Sequence, residues 1–424
     1  MPVRRDLSRF DDAERRFTLL FLPVAFGFGA RMAMVVFDGP LARLFTDNGY
    51  LIGVLLATGP LIATFANPVF GRLSDRTWTR FGRRLPYAFV GVSLSSLVFF
   101  AIPSAPVFGV LLALFALRAF FMSIGGVPLM SLVPDLVGAA RRGRAMALFM
   151  LTGGLGAVLI QFAGKLFWER DFALVFYATG LISVLFTVPP LFFIREPRAR
   201  PSDVIVLRGV ISPADILRAV GSRSPIALFL ISAALRYLGA GMVVSYITLF
   251  AATDLGISVG DAALAVAIGG LMRLVLALPA GRLVDRYDRK RLLLLATIAG
   301  GLVHLATGVF VLHLWQLYVA VAAGATAGVL EMTAGGPLFM DLLPADRRGE
   351  LIGINMVLAS LLQSAGALLG GVVFAWTAGY RIIYPIAALC FAVSALVLTR
   401  LPVALPATDR PAPSAVLSEK GVAP

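Results

Sequence analysis

Cysteine occurs once in 424 residues, at Cys390, and histidine twice, at His304 and His313. A single thiol excludes an internal disulfide and a cluster of thiolate metal ligands. Two histidines give little support to a histidine-rich metal site or a Ser-His-Asp hydrolase. No nucleophile–base constellation stands out, so neither an enzyme nor a bound cofactor is expected. Charge is scarce too: Asp, Glu, Lys and Arg make up 14% of the chain, where a soluble protein carries about a quarter. Apolar residues take their place, at 59% with a mean hydropathy of +0.90. Apolar runs of about 20 residues, each long enough to cross a bilayer core, recur along most of the length. The chain reads as an all-α polytopic membrane protein. Met1 to Arg16 is highly charged and the first apolar run has no small-residue cleavage site, so no cleaved leader is expected.

Breaks at Pro, Gly and charge divide the apolar sequence into twelve candidate spans: 17–37, 49–71, 86–104, 107–133, 145–166, 172–194, 224–250, 261–281, 292–312, 315–341, 351–376 and 382–400. The longest polar interruption separates two sets of six. The expected organisation is a terminal segment (1–16), a six-helix bundle (17–194), a linker (195–223), a second bundle (224–401) and a disordered tail (402–424). Within the linker, Pro213 to Arg218 reads as a short surface helix. Of the 37 Lys and Arg residues, 29 fall on the side of the chain that carries the termini and four on the other. That bias places both termini in the cytoplasm, in a multi-pass inner-membrane protein. It also accounts for the net charge of +14 without nucleic acid.

Gly71-Arg72-Leu73-Ser74-Asp75-Arg76, continuing to Arg80-Phe81-Gly82-Arg83-Arg84, recurs in shorter form at Gly281-Arg282-Leu283-Val284-Asp285-Arg286. Gly, Leu, Asp and Arg repeat at an offset of 210. Gly125-Gly126 through Pro134 returns as Gly335-Gly336 through Pro344 at the same offset. A duplicated basic hairpin between apolar helices indicates a transporter made of two homologous halves.

At these residues the chain resembles the major facilitator superfamily, whose signature loop lies between helices 2 and 3. The fuller string from Ser74 through Tyr87, with Leu342-Leu343-Pro344, Gly349 to Asn355 and Gln363, is similar to the glycoside–pentoside–hexuronide:cation symporters and their sucrose-transporter relatives. The resemblance implies two pseudo-symmetric bundles rocking about a central cavity, lined mostly by spans 1, 4, 7 and 10. It also implies a gating loop comprising Gly71, Asp75, Arg76, Arg80, Arg83 and Arg84, echoed by Asp285 and Arg286, with Asp75 holding an inter-bundle contact. Ala63 and Asn67 stand where sodium-coupled relatives carry acidic residues. The Arg118-Ala119 neighbourhood stands where sucrose transporters carry Asp. Both departures weaken inherited cation coupling.

Arg31, Arg118, Arg236, Arg273 and Glu331 lie well inside apolar spans. A charge at mid-bilayer costs a few kcal/mol, so such groups face a cavity or a partner. Arg31 and Arg236, 205 residues apart on spans 1 and 7, are expected to face each other as an anion clamp, since guanidinium offers planar bidentate donors. The alternative is pairing with Glu331 or with backbone carbonyls. Glu331 is a candidate proton carrier or the partner of Arg118, and Arg273 stands near the lost cation position. Tyr237, Tyr246, Asn355 and Gln363 are candidate solute contacts, with packing as the alternative.

The expectation is a monomeric secondary transporter for a small polar solute, anionic or sugar-acid-like, with protons as a possible coupling ion. Neutral sugar–proton symport is the runner-up. A non-transporting membrane scaffold is the reading from another class.

Overall fold

The computed structural model describes residues 3–196, 224–344 and 347–402, with backbone alone for 3–13 and 139–140. The helix expected at Pro213–Arg218 and the tail from 403 onward lie outside the described residues. Thirteen α-helices are present among those described: α1 (Val3–Met32), α2 (Val35–Arg43), α3 (Gly49–Arg76), α4 (Leu85–Ala101), α5 (Phe108–Leu136), α6 (Ala139–Phe167), α7 (Phe172–Phe193), α8 (Pro225–Asp254), α9 (Val259–Arg286), α10 (Arg289–Phe310), α11 (Leu314–Leu342), α12 (Arg348–Thr377) and α13 (Ile383–Thr399). Counting Glu14–Arg43 as one, eleven segments among the described residues are long and apolar enough to cross a membrane, and α13 is a shorter apolar helix. The twelve expected spans are thus all helical.

Several boundaries follow from capping chemistry. The Asn48 carboxamide accepts from the Tyr50 and Leu51 amides, and Asp171, Ser224, Ser258 and Asp288 cap α7, α8, α9 and α10 in the same way. Each satisfies amide groups that have no partner within their helix.

The first span departs from the expected 17–37. It runs on to Arg43 and is broken near Ala33-Met34, where i→i−3 bonds such as Met34 N–H to Arg31 O tighten the turn. Further along, Pro40 has no N–H, so the Val36 carbonyl loses its helical partner. The Thr248 hydroxyl of α8 donates to that carbonyl at 2.7 Å. A proline in one half therefore creates an acceptor for the other.

The apolar core has three parts. One cluster draws from both halves, and includes Met34, Phe37, Leu55, Phe115, Phe176, Tyr246, Phe250 and Tyr380. It lies toward the face opposite the termini. Nearer the termini the core divides into one cluster of the first half (Phe17, Phe21, Val24, Leu129, Phe149, Leu191) and one of the second (Phe229, Leu293, Leu338, Leu351, Leu398). The halves meet through α3 against α12, α6 against α9, and α2 against α8. Glycine permits the first of these contacts: a Cβ on Gly371 would meet the Gly49 carbonyl and Gly53. Close backbone approach of this kind supplies much of helix association in lipid, where apolar burial alone gives little.

Candidate functional site

The first half holds a buried ion pair that the sequence reading did not include. Arg118 on α5 binds Asp38 on α2 through two bonds, Nη1 to Oδ1 at 3.1 Å and Nη2 to Oδ2 at 2.7 Å. Its guanidinium lies over the rings of Phe115 and Phe99, at 4.3 and 5.4 Å. The expected Arg118–Glu331 pair is corrected accordingly: Asp38 takes Arg118. The Asp38-Gly39-Pro40 sequence reads as the end of a span, but α2 carries Asp38 inside the bundle. The apolar residues after Pro40 were the available signal, since Leu41, Ala42, Leu44 and Phe45 continue the run.

Arg31 has no carboxylate partner among the described residues. It is buried and donates through Nη1 to the Val92 carbonyl and the Ser96 hydroxyl of α4, at 3.3 and 3.4 Å. Its Nε and Nη2 have no hydrogen-bond acceptor. Unmatched donors on a buried cation are costly, and they mark this group as under-compensated.

In the second half, Arg236 of α8 meets Glu331 of α11 at 2.7 Å. Here the contact is monodentate. Nη1 serves Glu331, Nε reaches the Ser232 carbonyl at 3.4 Å, and Nη2 makes no hydrogen bond among the described residues. Glu331 is the more accessible partner, its side chain 22% exposed against 7% for Arg236. Arg273 on α9 is exposed and makes no hydrogen bond or ion pair among the described residues. It shares a helical stripe with Gly269 and Ala280, at 3.6-residue spacing, on the side of α9 turned toward its neighbours in the bundle. The expected opposition of Arg31 and Arg236 is replaced by two separate arrangements. Arg31 turns toward α4 and Arg236 toward α11.

The two ion pairs have opposite polarity. The carboxylate is on the first span and the arginine on the fourth in one half. In the other, the arginine is on the seventh and the carboxylate on the tenth. Depth differs as well. At 1.5 Å per residue, Arg236, Glu331 and Arg273 lie about 17–20 Å from the helix ends on the face carrying the termini and Arg118 about 27 Å, while Arg31 lies about 26 Å from Glu14, where the first apolar span begins. The Asp38–Arg118 pair is therefore packed into the shared core, while Glu331 is level with the divided cores.

Of the candidate solute contacts, Tyr237 and Asn355 are joined at 3.3 Å between α8 and α12, with Asn355 Oδ1 left unpartnered. Gln363 is exposed. Tyr246 is fully buried, donates to the Ala367 carbonyl at 2.7 Å, and stacks on Tyr380. In this state it packs the shared core and is out of reach of a solute.

The duplicated loop is a charge cage within the first half. Arg84 pairs with Asp75 and with Asp135, each at 3.1 Å, and Arg83 pairs with Asp135 at 2.7 Å. Burial opposes the charged form of Arg83, but Asp135, aided by Asp75 and Glu196, outweighs it and raises the guanidinium pKa. Both Glu196 oxygens accept from the amides of Arg83, Arg84 and Leu85, capping α4 from the far end of α7. Asp75 therefore binds within its own half in this state, whereas an inter-bundle contact was expected. Gly71 lies against Val127, Arg76 is exposed, and Arg80 covers the Phe81 ring. In the second half Arg289 pairs with Asp341, each 206 residues after Arg83 and Asp135, while Asp285 and Arg286 are exposed. Asp135 and Glu196 were missed because neither belongs to the repeated string.

The profile of the Major Facilitator Superfamily matches residues 19–233 and 229–422, which together span nearly all of the chain. The chain belongs to the major facilitator superfamily. It is a multi-pass membrane transporter, not an enzyme. An uncharacterized MFS-type transporter of Bacillus subtilis (strain 168), YfiS, is 30% identical over 129 residues, and the match spans 30% of the length of each protein. Among solved structures, the nucleoside transporter NupG superposes with a TM-score of 0.75 at 12% identity, covering 91% of this chain and 99% of that one. A bacterial homologue of the human lysosomal transporter Spinster, inward-facing and occupied, gives 0.71 at 17% identity (92% and 97% covered). A D-xylose–proton symporter gives 0.69 at 16% identity (92% and 98%). At these identities the likenesses establish the fold alone.

In this superfamily member the links between halves cluster at the face opposite the termini. Lys165 of α6 pairs with Asp261 of α9 at 2.5 Å, and the Val259 amide donates to Glu169. Trp376 Nε1 donates to the Tyr50 hydroxyl at 3.0 Å, and the Ser364 hydroxyl to the Ala57 carbonyl at 3.0 Å. The Arg43 guanidinium lies 4.9 Å from the Phe374 ring centroid. Together with the shared aromatic core, they seal that face.

Proposed function

We propose that the protein carries small organic anions, such as carboxylates or sugar acids, by alternating access. The carrying observation is the charge imbalance inside the bundle: four arginines against two carboxylates, with Arg31 and Arg273 lacking an ionic partner. Each uncompensated guanidinium in a bilayer interior costs a few kcal/mol, which an anionic solute would offset. Arg236 supplies a free Nη2 edge beside Glu331, and Arg273 supplies a second cation at the same depth. A carboxylate entering from the terminal face would compete with Glu331 for Arg236. A proton on Glu331 would favour the exchange, which makes proton–anion symport the coupling we favour. The Tyr237 hydroxyl and the Asn355 amide flank this site as hydrogen-bonding groups.

The termini are assigned to the cytoplasm of the inner membrane by the loop-charge bias. On that assignment the sealed face is external and the state inward-open, in a monomer whose two bundles, 17–194 and 224–401, are joined by the 195–223 linker. In the reverse state, Asp75, Asp285 and the basic loop residues are positioned to meet across the terminal face. The neutral sugar–proton reading keeps the support of the Ser74–Tyr87 resemblance to the glycoside–pentoside–hexuronide branch. It leaves the unpaired arginines without a role.

Counterflow in proteoliposomes separates the two readings. Vesicles loaded in turn with unlabelled hexuronates, hydroxy acids and neutral sugars should take up the labelled acid only when an acid is inside. Exchange of neutral sugars with none of the acids would refute the anion assignment.

A further inference from the structure

A second site lies outside the central region. The loop between α3 and α4 folds back as a tight hairpin in which Thr79 and Gly82 exchange backbone hydrogen bonds of 3.0 and 3.1 Å. Gly82 has φ +113°, a conformation that favours glycine, and a Cβ there would press on Glu196. The hairpin holds Arg80 and Phe81 at its tip. Between it and the end of α7 is a recess of about 550 Å³, lined by Trp78, Arg80 and Phe81 on one side and by Phe192 and Arg195 on the other.

The recess is on the circumference of the first half. The helices that bound it, α4 and α7, pack on α1, α5 and α6 and on each other, all of their own half. Phe192 and Phe193, 69% and 70% exposed on the last turn of α7, present an apolar surface where a bilayer would meet the loops. Aromatic residues such as Trp78 favour that boundary.

Charge at the recess is positive. Arg80 is exposed, stacked on Phe81 and without a carboxylate among the described residues, and Arg195 is likewise exposed and unpaired there. Arg83 and Arg84 are neutralised by Asp75 and Asp135. Glu196 also lines the recess, but its two oxygens are held by three amides at the start of α4. Two guanidinium forks beside an apolar ledge match a phosphodiester with acyl chains attached.

We propose that this recess binds the headgroup of an anionic phospholipid from the leaflet on the terminal face. Its phosphate bridges Arg80 and Arg195, and its chains lie along Phe192 and Phe193. Lipid bound here would brace the gating hairpin against α7.

The test is native mass spectrometry of the purified full chain from nanodiscs of mixed phosphatidylglycerol and phosphatidylcholine. Wild type should retain phosphatidylglycerol in preference to phosphatidylcholine. Arg80→Gln and Arg195→Gln should each lower that retention about fivefold, in line with one basic residue at an anionic surface. Arg144→Gln, an exposed arginine away from the recess, should not change it. Unchanged melting in pure phosphatidylcholine discs shows that the variants are folded. Equal retention of the two lipids by wild type, or equal phosphatidylglycerol retention by wild type and the double variant, overturns the proposal. Displacement of phosphatidylglycerol by millimolar inorganic phosphate would assign the recess to a soluble anion and also overturn it.

Discussion

Glu331→Gln should leave solute exchange intact and abolish proton-driven accumulation. The amide keeps the size and hydrogen-bonding reach of the carboxylate but can neither carry a proton nor compete as an anion for Arg236. In the wild type the 2.7 Å contact occupies one edge of that guanidinium. A hydrogen bond to a charged group is worth about 1.5–3 kcal/mol, so its release should tighten anion binding about tenfold or more. Arg236→Ala should have the opposite effect and lose binding, since Glu331 is then left as an unpaired carboxylate facing the solute. The readout is uptake under an imposed pH gradient beside counterflow without one. A Gln variant that still concentrates solute would remove Glu331 from the coupling step.

The second large effect concerns stability. Asp38→Asn or Arg118→Met should each lower the unfolding free energy by about 3–5 kcal/mol, because each strands a charge in a desolvated site. The contact is bidentate, the Asp38 side chain is 9% exposed and that of Arg118 17%, and Phe99 and Phe115 cover the guanidinium, so solvent replaces a missing partner only in part. The double replacement Asp38→Asn with Arg118→Met removes both charges and should recover most of the loss. A thermal melt of the four proteins in detergent checks this. Additive losses in the double variant would mean that the two residues contribute independently. Transport is expected to suffer less than stability here, since the pair is packed in the shared core.

These two pairs also show how far the sequence could be read. Apolar run length and loop charge were enough for the helical architecture and the division into halves, because bilayer thickness constrains both. The 210-residue repeat exposed the loop hairpins, and the intramembrane arginines were found because charge is rare in apolar spans. Partner choice was less legible. Helical spacing places a residue at a depth on its own helix, but not its rotation relative to a neighbour. Arg118 and Glu331 sit on repeat-related helices, yet each finds a nearer partner, Asp38 and Arg236. Asp38 was hidden because Gly39-Pro40 reads as a span end, whereas proline is tolerated in a membrane helix when another group takes up the freed carbonyl, as Thr248 does. Lys165 and Asp261 stand near the ends of apolar spans in different halves, and only packing of α6 on α9 joins them. Tyr246 satisfied the search for a polar group in an apolar span, but its hydroxyl is engaged by the Ala367 carbonyl.

The central claim is that guanidinium groups in the bundle interior recognise an anion. Thermal shift of the purified protein against matched pairs of neutral sugars and their acids, repeated for Arg236→Ala and Arg273→Ala, tests it most directly. The account predicts stabilisation of the wild type by one or more acids, no stabilisation by the neutral counterparts, and loss of the shift in both variants. Stabilisation by a neutral sugar that persists in both variants would contradict it.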